Sequence, residues 1–209
     1  MSIEYLQVMS ENSREAEPTH LTEARVRFEK AQDNLFGLNQ DKPDDWNEAA
    51  PLVDVSNPEA AKSAIREVVW SGLNYAKAEK DVAGNKAVTF KEAIRPGKVT
   101  PNHESIVTDF ERAVDVIDGK RANPESLVKV ISTLADIRQE EANRRHEGRI
   151  TNLPDQRGIT EKIFGMEKRV HPQDLAAESK YQQTEIGQIR DVRNLVIDNA
   201  SNWAAPKGQ

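Results

Sequence analysis

The four histidines, at positions 20, 103, 146 and 171, are the first residues to weigh as metal ligands or proton carriers. No two are three or four residues apart and no His-Glu-x-x-His occurs, so the ligand pair of a helix-borne zinc site is missing. Glu17-Pro18-Thr19-His20 has the Glu-x-x-His spacing of carboxylate-bridged di-metal bundles, but Pro18 cuts the turn. Such a site also needs a second motif of the same kind and two more helical glutamates. Three residues before His103 stands Thr100, so that twin is absent.

Nucleophilic chemistry finds no better footing. The chain has no cysteine, which removes thiolate nucleophiles, cysteine-ligated metals and disulfides together. There is no Gly-x-Ser-x-Gly elbow, and the glycines are scattered as terminators rather than gathered into a phosphate loop. Paired carboxylates such as Asp44-Asp45 and Glu140-Glu141 read as solvated surface in so acidic a chain. The expectation is a protein without catalytic residues, cofactor or metal, and therefore not an enzyme.

One basic group invites a different chemistry. Arg138, Arg144, Arg145 and Arg149 cluster late in a helix, but Glu140, Glu141 and Glu147 interleave with them. A phosphate backbone calls for an uncompensated patch, and single strands call for aromatic platforms, which this segment lacks. Cations at a helix C-terminus complement the dipole, and that reading is preferred.

The elements that would carry these residues are helices. The first runs from near Pro18 to Leu35 or Phe36, with Leu21, Ala24, Phe28, Ala31 and Leu35 on one stripe and Gly37 as a left-handed terminator. A long loop with Pro43, Trp46 and Pro51 follows, and Trp46 is expected to pin it to the body. Asn57-Pro58-Glu59 starts the second helix, since Asn caps, Pro suits the first helical position and Glu opposes the dipole. Ala61, Ile65, Val68, Gly72, Tyr75 and Ala76 line it, with Val69, Trp70 and Leu73 widening the buried stripe, to about Lys80. Thr89-Phe90-Lys91-Glu92 has capping-box spacing for a short helix to Ile94.

Two helices over 102–118 and from Asn123 onward should form an antiparallel hairpin across a short connection containing Gly119. Gly148, Pro154, Gly158 and Gly165 predict a loop over 146–171 with a short helix around 160–168. Pro172 opens the last helix, to roughly Asn199, with Leu175, Ile186, Ile189, Val192, Val196 and Trp203 as apolar points and Ser179 and Gln182 weakening the seam. Residues 28–35 and 110–117 echo one another faintly, which the economy of amphipathic helices explains without a duplication.

Composition bounds the rest. In 209 residues the hydrophobic share is 37% and the charged share 31%, which suits narrow seams between helices better than a thick α/β core. Residues 1–57 hold 12 acidic and 5 basic side chains and the remainder 23 and 24, so all the excess negative charge lies ahead of position 58, where it repels phosphate backbones. No run of apolar residues is long enough for a membrane helix, and the first residues lack a secretory signal pattern.

The fold expected is an all-α helical bundle of four to five principal helices plus short ones. Residues 1–17 form an arm or short helix, 18–203 one bundle domain and 204–209 a disordered tail. The composition resembles that of secretion-system components, secreted helical effectors and phage assembly proteins. The leading expectation is a non-catalytic adaptor or assembly component of a bacterial or viral multiprotein machine, in a hetero-complex or homo-oligomer. It would be cytoplasmic, or exported without a cleaved signal. An exported effector acting on a host protein and a small nucleic-acid-binding regulator are the alternatives, the latter disfavoured by charge. The partner-binding residues expected are Ile186, Ile189, Val196, Trp203 and Trp46, because a helix with an incomplete seam and a terminal aromatic suits an anchor.

Overall fold

A computed structural model describes residues 19–39, 50–83, 103–157 and 168–205. Five helices carry them: α1 (Thr19–Phe36), α2 (Pro58–Ala83), α3 (His103–Ile117), α4 (Glu125–Asn152) and α5 (Pro172–Trp203). Two-residue strands, β1 (Leu38–Asn39) and β2 (Ala50–Pro51), pair antiparallel after α1 in the register Leu38↔Pro51 and Asn39↔Ala50. The architecture is all-α, with consecutive helices packed on one another.

Cross-helix ion pairs show the neighbours to be antiparallel. Lys77–Glu111 and Arg66–Asp118 run in opposite senses along α2 and α3. His146–Glu178, Arg145–Glu185 and Arg193–Asp136 do the same along α4 and α5.

The core is the set of aliphatic stripes brought together, including Leu35, Ile65, Val68, Leu127, Ile131 and Val192. Phe28 and Phe110, the echoed pair, meet edge to face at 6.0 Å, and Tyr75 stacks on Phe28 at 5.8 Å. Gly72 lets these rings approach the α2 backbone: a Cβ there would lie 2.3 Å from Phe110 Cε1 and 2.9 Å from Phe28 Cε2.

The expected stop signals divide. Asn57 Oδ1 accepts from the Ala60 N–H, as an N-cap should. Gly119 has φ +69° and closes α3 in a Schellman motif, with Lys120 N–H donating to Asp115 O and Gly119 N–H to Val116 O. Gly37 is not left-handed, contrary to expectation. Its N–H completes the last helical bond to Asp33 O, the chain passes straight into β1, and a Cβ would sit 2.2 Å from that carbonyl oxygen.

Further expectations are corrected. Helix α4 does not end near 146 but continues through Gly148 to Asn152. An isolated glycine costs a helix only about 1 kcal/mol, and bonds from the same stretch to α5 offset it. Trp70 does not widen the buried stripe; it stands 37% exposed. Leu175 likewise faces outward, while α2 and α5 run on to Ala83 and Trp203. Residues 1–17, the capping box at 89–92, Trp46 and nearly all of 160–168 lie outside the described residues. Ala205 N–H donates to Arg121 O, which ties the end of the described chain to the α3–α4 connection.

Candidate functional site

The ionisable side chains converge where α4 and α5 face each other beyond the apolar core. Hydropathy suggested a seam through Leu175 and Ile186, interrupted by Ser179 and Gln182. In the structure the α5 seam runs through Glu178, Tyr181, Glu185 and Gln188, then Ile189, Val192 and Val196. Its first half is polar because the facing turns of α4 supply partners. A buried carboxylate is tolerated when cations and donors surround it, and hydropathy is blind to that pairing.

Glu178 is 4% exposed, and its Oε1 lies 2.6 Å from Arg149 Nε and 2.9 Å from His146 Nδ1. The Arg149 guanidinium sits over the Tyr181 ring, 4.8 Å from its centre. One turn on, Arg145 Nη2 donates to Glu185 Oε1 at 2.5 Å, and Gln182 donates to Asn143 at 3.1 Å. Nearer the core, Arg138 reaches α1, donating to Asp33 Oδ1 at 2.5 Å, and it also donates to Glu141 within α4. Gln188 is buried and donates to the carbonyls of Leu35 and Val53, joining α5 to the end of α1 and the turn after β2.

These residues border a cleft of about 370 Å³, walled by Phe36, Leu38, Leu52 and Ile189 and edged by Arg138, Arg145, Arg149 and Glu185. Its electrostatics are largely self-contained. Each of the three arginines is engaged by a carboxylate of the chain, so they form no uncompensated basic face for an anion or a phosphate backbone. Arg144 points outward, with Nε 3.4 Å from the Glu140 carbonyl.

Of the other histidines, His20 is exposed on the first turn of α1. His171 is the N-cap of α5, its Nδ1 accepting from Gln173 N–H at 3.2 Å. Pro172 pointed to the start of that helix but not to the capping ring. Among the described residues, no three His, Asp or Glu side chains are grouped to hold a metal ion. Nor is any described helix long and apolar enough to cross a membrane.

The expected partner-binding residues separate by burial. Ile189, Val196 and Trp203 are enclosed by the chain's own helices, and Ile186 is half-buried on the flank of α5. An aromatic that the sequence assigned to the core, Trp70, instead stands in an open groove of about 700 Å³ along α2. Arg27, Ala60, Ser63, Ala64, Arg66, Glu67 and Asn74 line it. Arg27 Nη2 is 2.9 Å from Glu67 Oε1 across that groove. The signal available in the sequence was the surroundings of Trp70. Glu67 and Asn74, one turn to either side, are polar, so 67, 70 and 74 share a polar stripe. Comparison of the chain with protein-family models, with curated proteins and with solved structures finds no match.

Proposed function

We propose that the chain is a non-catalytic helical adaptor or assembly component that works by docking a protein partner along α2. The observation that carries this reading is Trp70. A tryptophan still 37% exposed on a helix face leaves part of its burial gain unrealised, and tryptophan is enriched among the anchors of protein interfaces. Ala60, Ser63 and Ala64 keep the groove floor low, so a partner side chain can reach the ring. Arg27 and Arg66 flank it, each paired with a carboxylate of the chain, Glu67 and Asp118. The occupant that suits the groove is a protein segment that lays an apolar side chain over Trp70. Within the α4–α5 seam, cations and anions answer one another around buried carboxylates, which favours a structural role for that cluster over chemistry on a substrate.

The test is quantitative co-purification from the native organism with the tagged chain, its Trp70→Glu variant and a Leu175→Ala control. The reading expects a discrete partner set, retained by the control and lost from Trp70→Glu while circular dichroism stays unchanged. A monomer with no partner, or a partner set indifferent to Trp70→Glu, refutes it.

A further inference from the structure

We infer that the polar ends of α4 and α5, residues 143–152 and 172–185, part from each other as a local unit while the rest of the bundle stays folded. The inference goes beyond the docking role of α2, and the two fail independently.

The first support is the change of chemistry along one helix pair. Among the described residues, no aliphatic side chain is buried in 143–152 or in 172–188. The buried residues there are Glu178, Tyr181, Glu185 and Gln188. From Ile189 to Trp203 on α5, and from Leu127 to Ile137 on α4, the seam is mainly aliphatic. Apolar burial is what makes the folded state cooperative, so a stretch in which Tyr181 is the one large apolar side chain buried opens at lower free energy.

The second support is electrostatic. Closing the seam strips water from Glu178 and Glu185, a penalty that ion pairing repays only when every lone pair finds a donor. Glu185 Oε2 is buried with no hydrogen-bond partner among the described residues, and Arg138 Nε at the base of the seam is in the same condition. Opening returns water to the Glu185 carboxylate. An aliphatic seam gains nothing from water; this one does.

A boundary also exists. Arg138 and Gln188 fasten α4 and α5 to α1 at neighbouring levels, through Asp33 and the Leu35 and Val53 carbonyls. Beyond that level the seam is held by the Arg145, His146, Arg149 and Asn143 contacts described above. The polar ends can therefore separate without disturbing Phe28, Phe110 or the aliphatic half of α5.

Native-state amide exchange followed by mass spectrometry on the full chain tests this. Peptides from 143–152 and 172–185 should exchange about tenfold or more faster than those from 127–137 and 189–200. The triple variant His146→Leu/Arg149→Met/Glu178→Leu should slow the fast set, because apolar replacement of a buried charge cluster is commonly stabilising. Since the chain has no cysteine of its own, Asn143→Cys/Gln182→Cys joined by a short thiol crosslinker gives a second measurement, and the joined ends should lose their fast exchange. Exchange of both halves of each helix at one common rate overturns the inference. So does fast exchange that persists unchanged in the crosslinked chain.

Discussion

Adding one methyl group at Gly72 should destabilise the bundle, while the same change at Gly148 should stabilise it. Both glycines lie inside helices, so Gly→Ala gains about 1 kcal/mol of helix propensity at either position. The difference is what the methyl meets. At Gly148 nothing lies within 4 Å of the new Cβ. At Gly72 it would come within 2.3 Å and 2.7 Å of Phe110 and 2.9 Å of Phe28. Carbon atoms prefer about 3.5–4.0 Å, so α2 and the two rings must separate by about 1 Å. Both phenylalanines are fully buried and braced against each other and Tyr75, so neither ring has open space to enter. Overpacking of this kind costs about 1–3 kcal/mol, and three contacts this short belong at or above the upper end. After the propensity gain, Gly72→Ala should lose about 2 kcal/mol, or about 4–8 °C in Tm for a domain of this size. Urea unfolding followed by far-UV circular dichroism measures both variants against the parent. If Gly72→Ala is stabilised as much as Gly148→Ala, the close approach of α1, α2 and α3 at the aromatic cluster is wrong.

Three other outcomes follow from local geometry. Gly119→Ala should cost about 1–2 kcal/mol in the same urea experiment, since φ +69° forces an L-residue into the left-handed region; an unchanged midpoint would show that α3 ends differently. Trp203→Ala removes a buried aromatic from the end of α5 and should cost about 3–5 kcal/mol, and a loss below 1 kcal/mol would place that ring outside the core. The Ser56 hydroxyl and then its backbone N–H hold the Asp54 carboxyl below its ordinary value of 3.8, so the support these bonds give the turn is complete above that value and is lost as pH falls through the lowered one. Carboxyl-carbon NMR titration should therefore find a midpoint below 3.8 that rises in Ser56→Ala, and a parent midpoint at or above 3.8 contradicts the hydrogen bonding.

The sequence reading missed both the candidate docking residue and the polar seam, for opposite reasons. Trp70 is apolar and adjoins buried Val69, so a stripe widened to include it looked natural; only the packing of α1 and α3 decides how wide the buried face of α2 is. Glu178 and Glu185 are charged, and their burial depends on Arg145, His146 and Arg149, which stand on another helix more than twenty residues away. No local window contains both halves of such a pair. The extension of α4 past Gly148 has the same origin, because contacts with α5 outweigh a weak local breaker.

Spacing and caps alone determined that the described chain is helical, where most helices begin and which aliphatic residues of α1 to α4 are mainly sheltered. Those properties come from the 3.6-residue period and from backbone groups that a neighbouring side chain must satisfy. Tertiary structure decided what those local signals leave open: that Ile189, Val196 and Trp203 close the bundle, that Trp70 faces water, and that a carboxylate replaces an aliphatic residue at the head of the α5 seam. Periodicity says that a helix has a face to cover, whereas the free energy of covering it depends on the groups that another helix brings to it.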